Sequence, residues 1–499
     1  YLGVMANAPD GNAFAKLGVT LHFANLNYSL ADDREAFTLS YEVGELKALP
    51  IAFLPYHARM SDLCDRLLAK HQPLVILYED HAVDRLTQEQ AFRYRLAYGL
   101  LVYLALLLVI GPPENPNLFL PLLRMHPHNR EKSGDQGTYL RALSKVLAHL
   151  LGEGRRSGSQ GFNLENELRG GAMKPWVARN GLASLYAGVP KRFTFQRSTQ
   201  PFTLEKLAIV VVSSWQSDRL RGREEKLATL MGEIILVERL GPTEARVAQI
   251  GTFTTNDRHD RLTQNPTFLF DQVDRLYDQG VRHLLYVAHA PYTSTLHLTE
   301  RPEEKLFFLS PAVIEGMLRT KPDLVVYPLF FDSYAAAKLN NYKQAADSMY
   351  IYDPRELARV AQDPNQQSVV VFNLFNGRDW AVKGEGFYNR VVSYSTLLNM
   401  YADVQEDNAI REGLLKDGAL KHDILTYLTL FHFSRYEAAP TRKRSIAIKL
   451  DPYAGLIGND ALGKQATFPH MTGNTEWSLL AFLTAVGSQV EGMWLRKQL

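Results

Sequence analysis

A mixed α/β fold is predicted by the stretch from Leu207 to Leu339. Three observations predict it: an apolar β-branched run, two further strand-like runs around a Gly-Pro turn, and then helix, strand, helix and strand in sequence. The first run, Leu207 to Ser214, is almost wholly apolar, as expected of a strand buried on both faces. Asp218 to Lys226 is charged and suits a solvated connection. Glu233 to Glu238 and Arg246 to Thr254 flank Gly241-Pro242, a strong turn signal, and are expected to pair as a hairpin. After Pro266, the residues Phe268, Leu269, Val273, Leu276 and Tyr277 recur at helical spacing until Gly280 ends the run. Val281 to Ala288 reads as a second buried strand, Ser310 to Leu318 as a capped helix, and Leu324 to Phe331 as a further apolar strand. Connections this short favour adjacent parallel strands crossed by helices.

Three neighbouring strands followed by a crossover helix and a parallel strand describe the ribonuclease H topology, since a Rossmann sheet alternates from its first strand. The rest of the chain is placed around that core. Residues 1–111 read as an N-terminal α/β region, 112–206 as a helical and basic connecting region, and 207–499 as the sheet domain. In the first, Leu74 to Tyr78 is strand-like. Ala97 to Ile110 is nearly continuous Leu, Val and Ala but shorter than the ~20 residues a bilayer needs. With Arg93 and Arg95 before it and Gly111-Pro112-Pro113 after, a buried helix starting near Leu86 is expected, and no membrane association. In the second, Thr138 to Leu151 is helical and Gly152 to Gly161 reads as a Gly- and Ser-bearing interruption. In the third, Ser368 to Asn373 is a strand, and helices are expected near Val391 to Tyr401 and Asp423 to Phe433. No charged leader precedes an apolar run at Tyr1, so no signal peptide is expected.

At 499 residues the chain has room for two or three domains, and 46% apolar with 22% charged residues is ordinary for a globular protein. The single cysteine, Cys64, excludes an internal disulfide and a Cys-based zinc cluster, and points to a reducing cytoplasm. A net charge of +2 is uninformative, but the positive residues cluster. Lys174, Arg179, Lys191, Arg192, Arg197 and Lys206 stand close in sequence, interleaved with Trp176, Tyr186, Phe193 and Phe195. Such a run suits a polyanion, and a solvated face is the plain alternative.

The order of elements resembles the Piwi domain of Argonaute-like proteins preceded by a Mid-like region. Val281-Arg-His-Leu-Leu-Tyr-Val-Ala-His-Ala290 lies where that family has the strand ending in a catalytic aspartate, and Pro322 to Phe331 looks like the strand after the next helix. Leu428 to Arg435 and Ser445 to Leu450 resemble the family's late helix and closing segment. The resemblance implies binding of a DNA or RNA guide and its target, a role in prokaryotic defence, and an effector protein as partner. Cleavage by such a fold needs carboxylates converging on divalent ions, with Mg2+ as the cofactor. Here Ser213 or Ser214 stands at the first acid position and Ala288-His289-Ala290 at the next, so cleavage is expected to be lost. Asp218, Glu238, Asp332 and Asp451 are the remaining acids that a different strand register would make ligands.

A Piwi-like subgroup carries arginine and glutamate in place of the acidic set, and Arg435 with Glu437 resembles that pair; a helix-end ion pair is the structural alternative. The resemblance also implies a basic pocket for a 5′ phosphate between Mid and Piwi. Lys174, Arg179, Lys191, Arg192 and Arg197 are its candidates for phosphate contact, and Tyr186 or Phe193 for stacking on a base. His283, His289 and His297 fall on or just after one strand and are read as hydrogen-bonded structural residues. His126 and His128 are read as surface residues of a Pro-bearing loop. A caspase-like hydrolase is the rival from another class, given His289, Ser310 and Asp332-Ser333 in order, yet its thiolate is missing, with Cys64 far upstream. A subunit docking protein partners is the third reading.

Overall fold

A computed structural model describes residues 25–30, 33–42, 46–56, 73–79, 82–111, 117–126, 135–163, 181, 184–195, 200–216, 227–289, 310–335, 348–351, 368–376, 390–397, 400–401, 403–405, 407–435, 448–453, 464–465 and 477–498. The first strands, β1 (Asn25–Leu30) and β2 (Asp33–Tyr41), pair antiparallel. A parallel sheet follows, made of β3 (Lys47–Ala48), β4 (Ile51–Pro55), β5 (Leu74–Tyr78), β6 (Leu118–His126) and β7 (Arg156–Asn163). Its spatial order is β5-β4-β6-β7, with β3 preceding β4 along the same side of β6. Helix α1 (Gln88–Ile110) joins β5 to β6, and α2 (Asp135–Leu150) joins β6 to β7.

Each element has a local cause. Thr87 caps α1 through a capping box with Gln90, and Gly111 ends it at φ +77°, a conformation that suits glycine. Helix α1 was expected to be buried, yet Leu101 is 65% and Leu108 73% exposed. The segment expected as an interruption, Gly152 to Gly161, instead holds the first six residues of β7. Its small residues reflect crowding: a Cβ at Gly158 would overlap the Leu185 carbonyl, and one at Gly161 the Arg124 guanidinium. The expected boundary at 111 falls between α1 and β6, inside this one layer, because β4 lies on one side of that boundary and its hydrogen-bonded partner β6 on the other.

The larger sheet holds β8 (Lys191–Phe195), β9 (Lys206–Gln216), β10 (Leu227–Gly241), β11 (Glu244–Arg258), β12 (His283–His289), β13 (Val325–Ala335), β14 (Ser348–Ile351), β15 (Ser368–Asn376) and β16 (Arg390–Leu397). With β1 and β2 it closes into a barrel of eleven strands among the described residues. Its centre has the order β11-β10-β9-β12-β13. Strands β9, β10 and β11 are antiparallel neighbours, β12 is parallel to β9, and β13 is parallel to β12. That is the ribonuclease H arrangement the sequence predicts. Between these strands lie α3 (His259–Gln264), α4 (Thr267–Asp278) and α5 (Pro311–Leu318), and after them α6 (Asp407–Leu414), α7 (Ala419–Ser434) and α8 (Leu479–Gln498).

Leu207 to Val212 and Leu284 to Val287 are each at most 1% exposed, so β9 and β12 form the centre of the main core. Helix α7 is anchored by Asp423, whose Oδ2 accepts from Thr203 N at 2.7 Å, Thr203 Oγ1 at 2.8 Å and Leu204 N at 2.8 Å. The helix expected near Val391 to Tyr401 is instead β16: Val391, Val392, Tyr394 and Thr396 are β-branched or aromatic, and the ladder to β13 and β15 uses their extended backbone. The two sheets meet at α2, where His149 Nε2 reaches Thr254 Oγ1 of β11 at 2.7 Å.

Candidate nucleic-acid interface

The ribonuclease H tip is the first place to build a site. Ala288 of β12 lies beside Val212 of β9, so Ser213 and His289 are the next residues along the two parallel strands. His289 is in register with Phe331 of β13, and Asp332 follows, 8% exposed. Glu238 does not join it. Glu238 lies near the opposite end of β10, in register with Lys206 at the start of β9, and its carboxylate pairs with Arg246 at 3.2 Å and Lys206 at 3.7 Å. Asp451 Oδ1 accepts from Tyr453 N at 3.1 Å. Asp218 lies outside the described residues. A magnesium ion needs a near-octahedral set of oxygen donors, usually including carboxylates, and Ser213 with His289 does not fit that need. No group of three or more His, Cys, Asp or Glu suited to a metal ion occurs among the described residues.

The basic cradle expected from the sequence is redistributed by burial. Lys191 is 1% exposed; its Nζ donates to Ala187 O at 2.6 Å and Val189 O at 3.1 Å and lies 4.8 Å from the centre of the Tyr41 ring. Desolvation, with the nearby Arg435 charge adding to it, pushes the ammonium well below its ordinary pKa. A side chain so enclosed does not meet a phosphate. Phe193 is 0% exposed and packs on Phe37 at 5.4 Å between ring centres, so it is a core residue and not a stacking platform. Both assignments are corrected by the alternation of β8, which turns residues 191, 193 and 195 inward and leaves Arg192 exposed.

Arg192 shares Glu42 with Arg246: Arg192 Nη2 is 3.4 Å from one carboxylate oxygen and Arg246 Nε 2.6 Å from the other. Tyr186 opens a short turn, Tyr186–Gly188. Lys174, Arg179, Arg197 and Glu437 lie outside the described residues, as do His128 and His297.

Arg435 caps the C-terminal end of α7 and pairs with Glu233, a 1%-exposed carboxylate in the middle of β10. Burial raises the Glu233 pKa while the guanidinium opposes the rise. Glu233 is the partner that sequence reasoning missed; its signal is a lone acid inside the apolar run from Leu230 to Val237. His283 Nδ1 lies 2.9 Å from Tyr327 OH, a hydrogen-bonded structural residue as expected. Ser310 accepts from Val313 N as the cap of α5, so its hydroxyl serves the helix rather than a hydrolase.

A second site was not singled out from the sequence. In the order β5-β4-β6-β7 the chain passes from β4 outward to β5 and then back across to β6, so the switch point lies between β4 and β6. Open α/β sheets receive ligands in the crevice outside the carboxyl ends at that point. Here those ends carry Tyr56, 66% exposed, just after β4, with Arg124 and His126 closing β6. His126 is thus the end of a strand, half-buried and in register with the buried Asn163 of β7. Arg124 lies across β7 at Gly161, where the absent side chain makes room for its guanidinium. Tyr78 OH donates to Met125 O at 2.8 Å and fixes the ends of β5 and β6 relative to each other. The sequence signal was Arg124-Met-His-Pro-His-Asn-Arg130, basic groups straddling a strand terminus.

No family model matches the chain, and no curated protein matches it. Among solved structures it is similar to the C-terminal lobe of a budding yeast Argonaute, at 10% identity and a TM-score of 0.39, covering 87% of this chain and 86% of that one. An Aquifex aeolicus Argonaute follows at 8% identity, TM-score 0.37, with 93% and 56% covered. Drosophila Piwi follows at 11% identity, TM-score 0.37, with 86% and 52% covered. The chain therefore spans most of the lobe and about half the length of the other two.

Proposed function

We propose that this protein binds a nucleic-acid strand, as a guide or as part of a guide-target duplex, and does not itself cleave it. The observation that supports this most is the switch-point crevice, where Arg124, lying over Gly161, and His126 stand at the carboxyl ends of an open parallel sheet. A guanidinium so placed can form two parallel bonds to a phosphate, and Tyr56 offers an exposed ring for a neighbouring base. The ribonuclease H order of the second sheet supports a nucleic-acid ligand by analogy of fold. Ser213 and His289 at its tip are the reason cleavage is left out, and a partner protein is the proposed effector. A cytoplasmic place in prokaryotic defence completes the proposal.

The test is filter binding of 5′-phosphorylated and unphosphorylated single-stranded DNA and RNA over a range of salt. Wild-type binding should weaken steeply with salt, and Arg124→Ala should lower the slope of log affinity against log salt by about one. Absence of binding by the wild type, or an unchanged slope in Arg124→Ala, would refute the crevice as the phosphate site.

A further inference from the structure

Strand β7 carries two glycines, Gly158 and Gly161, and they lack a side chain for different reasons. A Cβ at Gly158 would overlap the carbonyl of Leu185, which is backbone and cannot swing aside, so that glycine belongs to the fold. At Gly161 the three nearest atoms are Nη2, Cζ and Nε of Arg124, all within 3.0 Å of where a Cβ would stand. These are the far end of a flexible side chain, which a methyl group would displace without moving any backbone. The local conformation does not call for glycine either, since Gly161 does not share the positive φ of Gly111, Gly154 and Gly280.

A glycine inside a strand forgoes packing and leaves the unfolded chain freer, so Gly161 weakens β7 unless it serves something else. What it serves is the posture of Arg124. The two residues stand opposite each other in the β6-β7 ladder, and the order β5-β4-β6-β7 puts β7 on the side of β6 away from β4. The half-buried Arg124 therefore lies back over β7, clear of the switch point between β4 and β6. A planar group held in one place has less freedom to lose on meeting a ligand, and its forked N–H edge matches two oxygens of a phosphate. With alanine at position 161 the guanidinium would have to leave β7, either across the switch point or out into water.

We infer that Gly161 is a positioning residue of the crevice: by having no side chain it keeps Arg124 in the posture that receives a phosphate of the nucleic-acid strand. The inference rests on the crevice being the phosphate site. It assigns Gly161 to ligand binding and Gly158, in the same strand, to stability.

Four variants test it: Gly161→Ala, Gly158→Ala, Arg124→Ala and the double variant of Gly161→Ala with Arg124→Ala. Melting is followed by circular dichroism, and binding of 5′-phosphorylated single-stranded DNA by filter retention across a range of salt. Gly161→Ala should melt close to wild type, because alanine fits this backbone and restricts the unfolded chain. Its binding should weaken roughly tenfold or more, with the salt slope lower by about one, as in Arg124→Ala. Once Arg124 is already alanine, adding Gly161→Ala should change neither affinity nor slope. Gly158→Ala should lower the melting temperature, since the Leu185 carbonyl cannot give way. Wild-type binding by Gly161→Ala beside weakened binding by Arg124→Ala overturns the inference and leaves the crevice standing. A further loss from Gly161→Ala in the Arg124→Ala background overturns it as well, because the glycine would then act without the arginine. So does a fall in melting temperature that matches Gly158→Ala, which makes Gly161 a residue of the fold alone. No binding by the wild type, or full binding by Arg124→Ala, refutes the crevice itself and the inference with it.

Discussion

Replacing Lys191 by methionine distinguishes a buried structural cation from a phosphate ligand. The ammonium donates to Ala187 O and Val189 O and sits over the Tyr41 ring, whose own pKa burial pushes up to about 12. Methionine fills a similar volume but brings no donor, so the two carbonyls lose this partner. A buried acceptor left unsatisfied costs about 1–3 kcal/mol, so the change should destabilise the fold by roughly 2–6 kcal/mol. Loss of the desolvated cation-π contact adds on the order of 1–2 kcal/mol, offset in part because a buried ammonium no longer has to be stripped of solvent. Urea unfolding followed by circular dichroism measures the loss. Nucleic-acid binding at a temperature where the variant remains folded should keep the wild-type salt slope. A variant as stable as wild type whose binding slope falls by about one would refute the reasoning and return Lys191 to the phosphate-binding set.

Arg435→Ala should cost roughly 3–5 kcal/mol in urea unfolding, because it leaves the Glu233 carboxylate buried without its cation, while Arg435→Met with Glu233→Leu should recover much of that loss; equal losses in single and double variants would argue against the pairing. Acid should weaken the fold through two buried histidines. Desolvation lowers His149 from 6.5 to about 4 and His432 from 6.5 to about 3. Both are therefore neutral in the native state and bind a proton more readily once unfolded. Their contribution is intact above pH 6.5 and is lost as pH falls towards these native values, roughly 3 kcal/mol for His149 alone, and a flat stability profile between pH 6.5 and 4 would contradict it. Asp423→Ala should destabilise by about 2–4 kcal/mol, since three donors from Thr203 and Leu204 lose one carboxylate oxygen, and hydrogen exchange should speed up at the amides of those two residues first.

The central sheet was legible because its strands are buried on both faces and therefore apolar throughout, as β9 and β12 are, with punctuation at Gly241-Pro242, Pro266 and Gly280. The parallel sheet was less legible. Strand β7, Arg156–Asn163, has almost no apolar residue before Phe162, because Leu185 and Arg124 crowd its surface and leave room only for glycine and serine. No periodicity survives there to be read. Strand β16 was mistaken for a helix since Val391, Tyr394 and Leu397 also fit a 3.6 spacing, and only the ladder to β13 decides between the two. Charge misled at the cradle for a related reason: Lys191 and Arg192 are neighbours in sequence but the strand pleat sends one inward and the other to solvent. Arg435 was noticed and its partner was not, as the two lie 202 residues apart and nothing local links them.

The barrel is closed by a pairing of Ser29 with Met349, so its seam joins residues 320 positions apart in the chain. The outer side of β1 must wait, during synthesis, until the stretch holding β14 has left the ribosome. Closing so long a loop is entropically slow, and β1, paired with β2 on its other side, would present an open ladder meanwhile. A chain of this design should depend on chaperones more than its final stability suggests. Once the seam is made it gains in return a large sheet that, among the described residues, has no free border for a stray strand to extend.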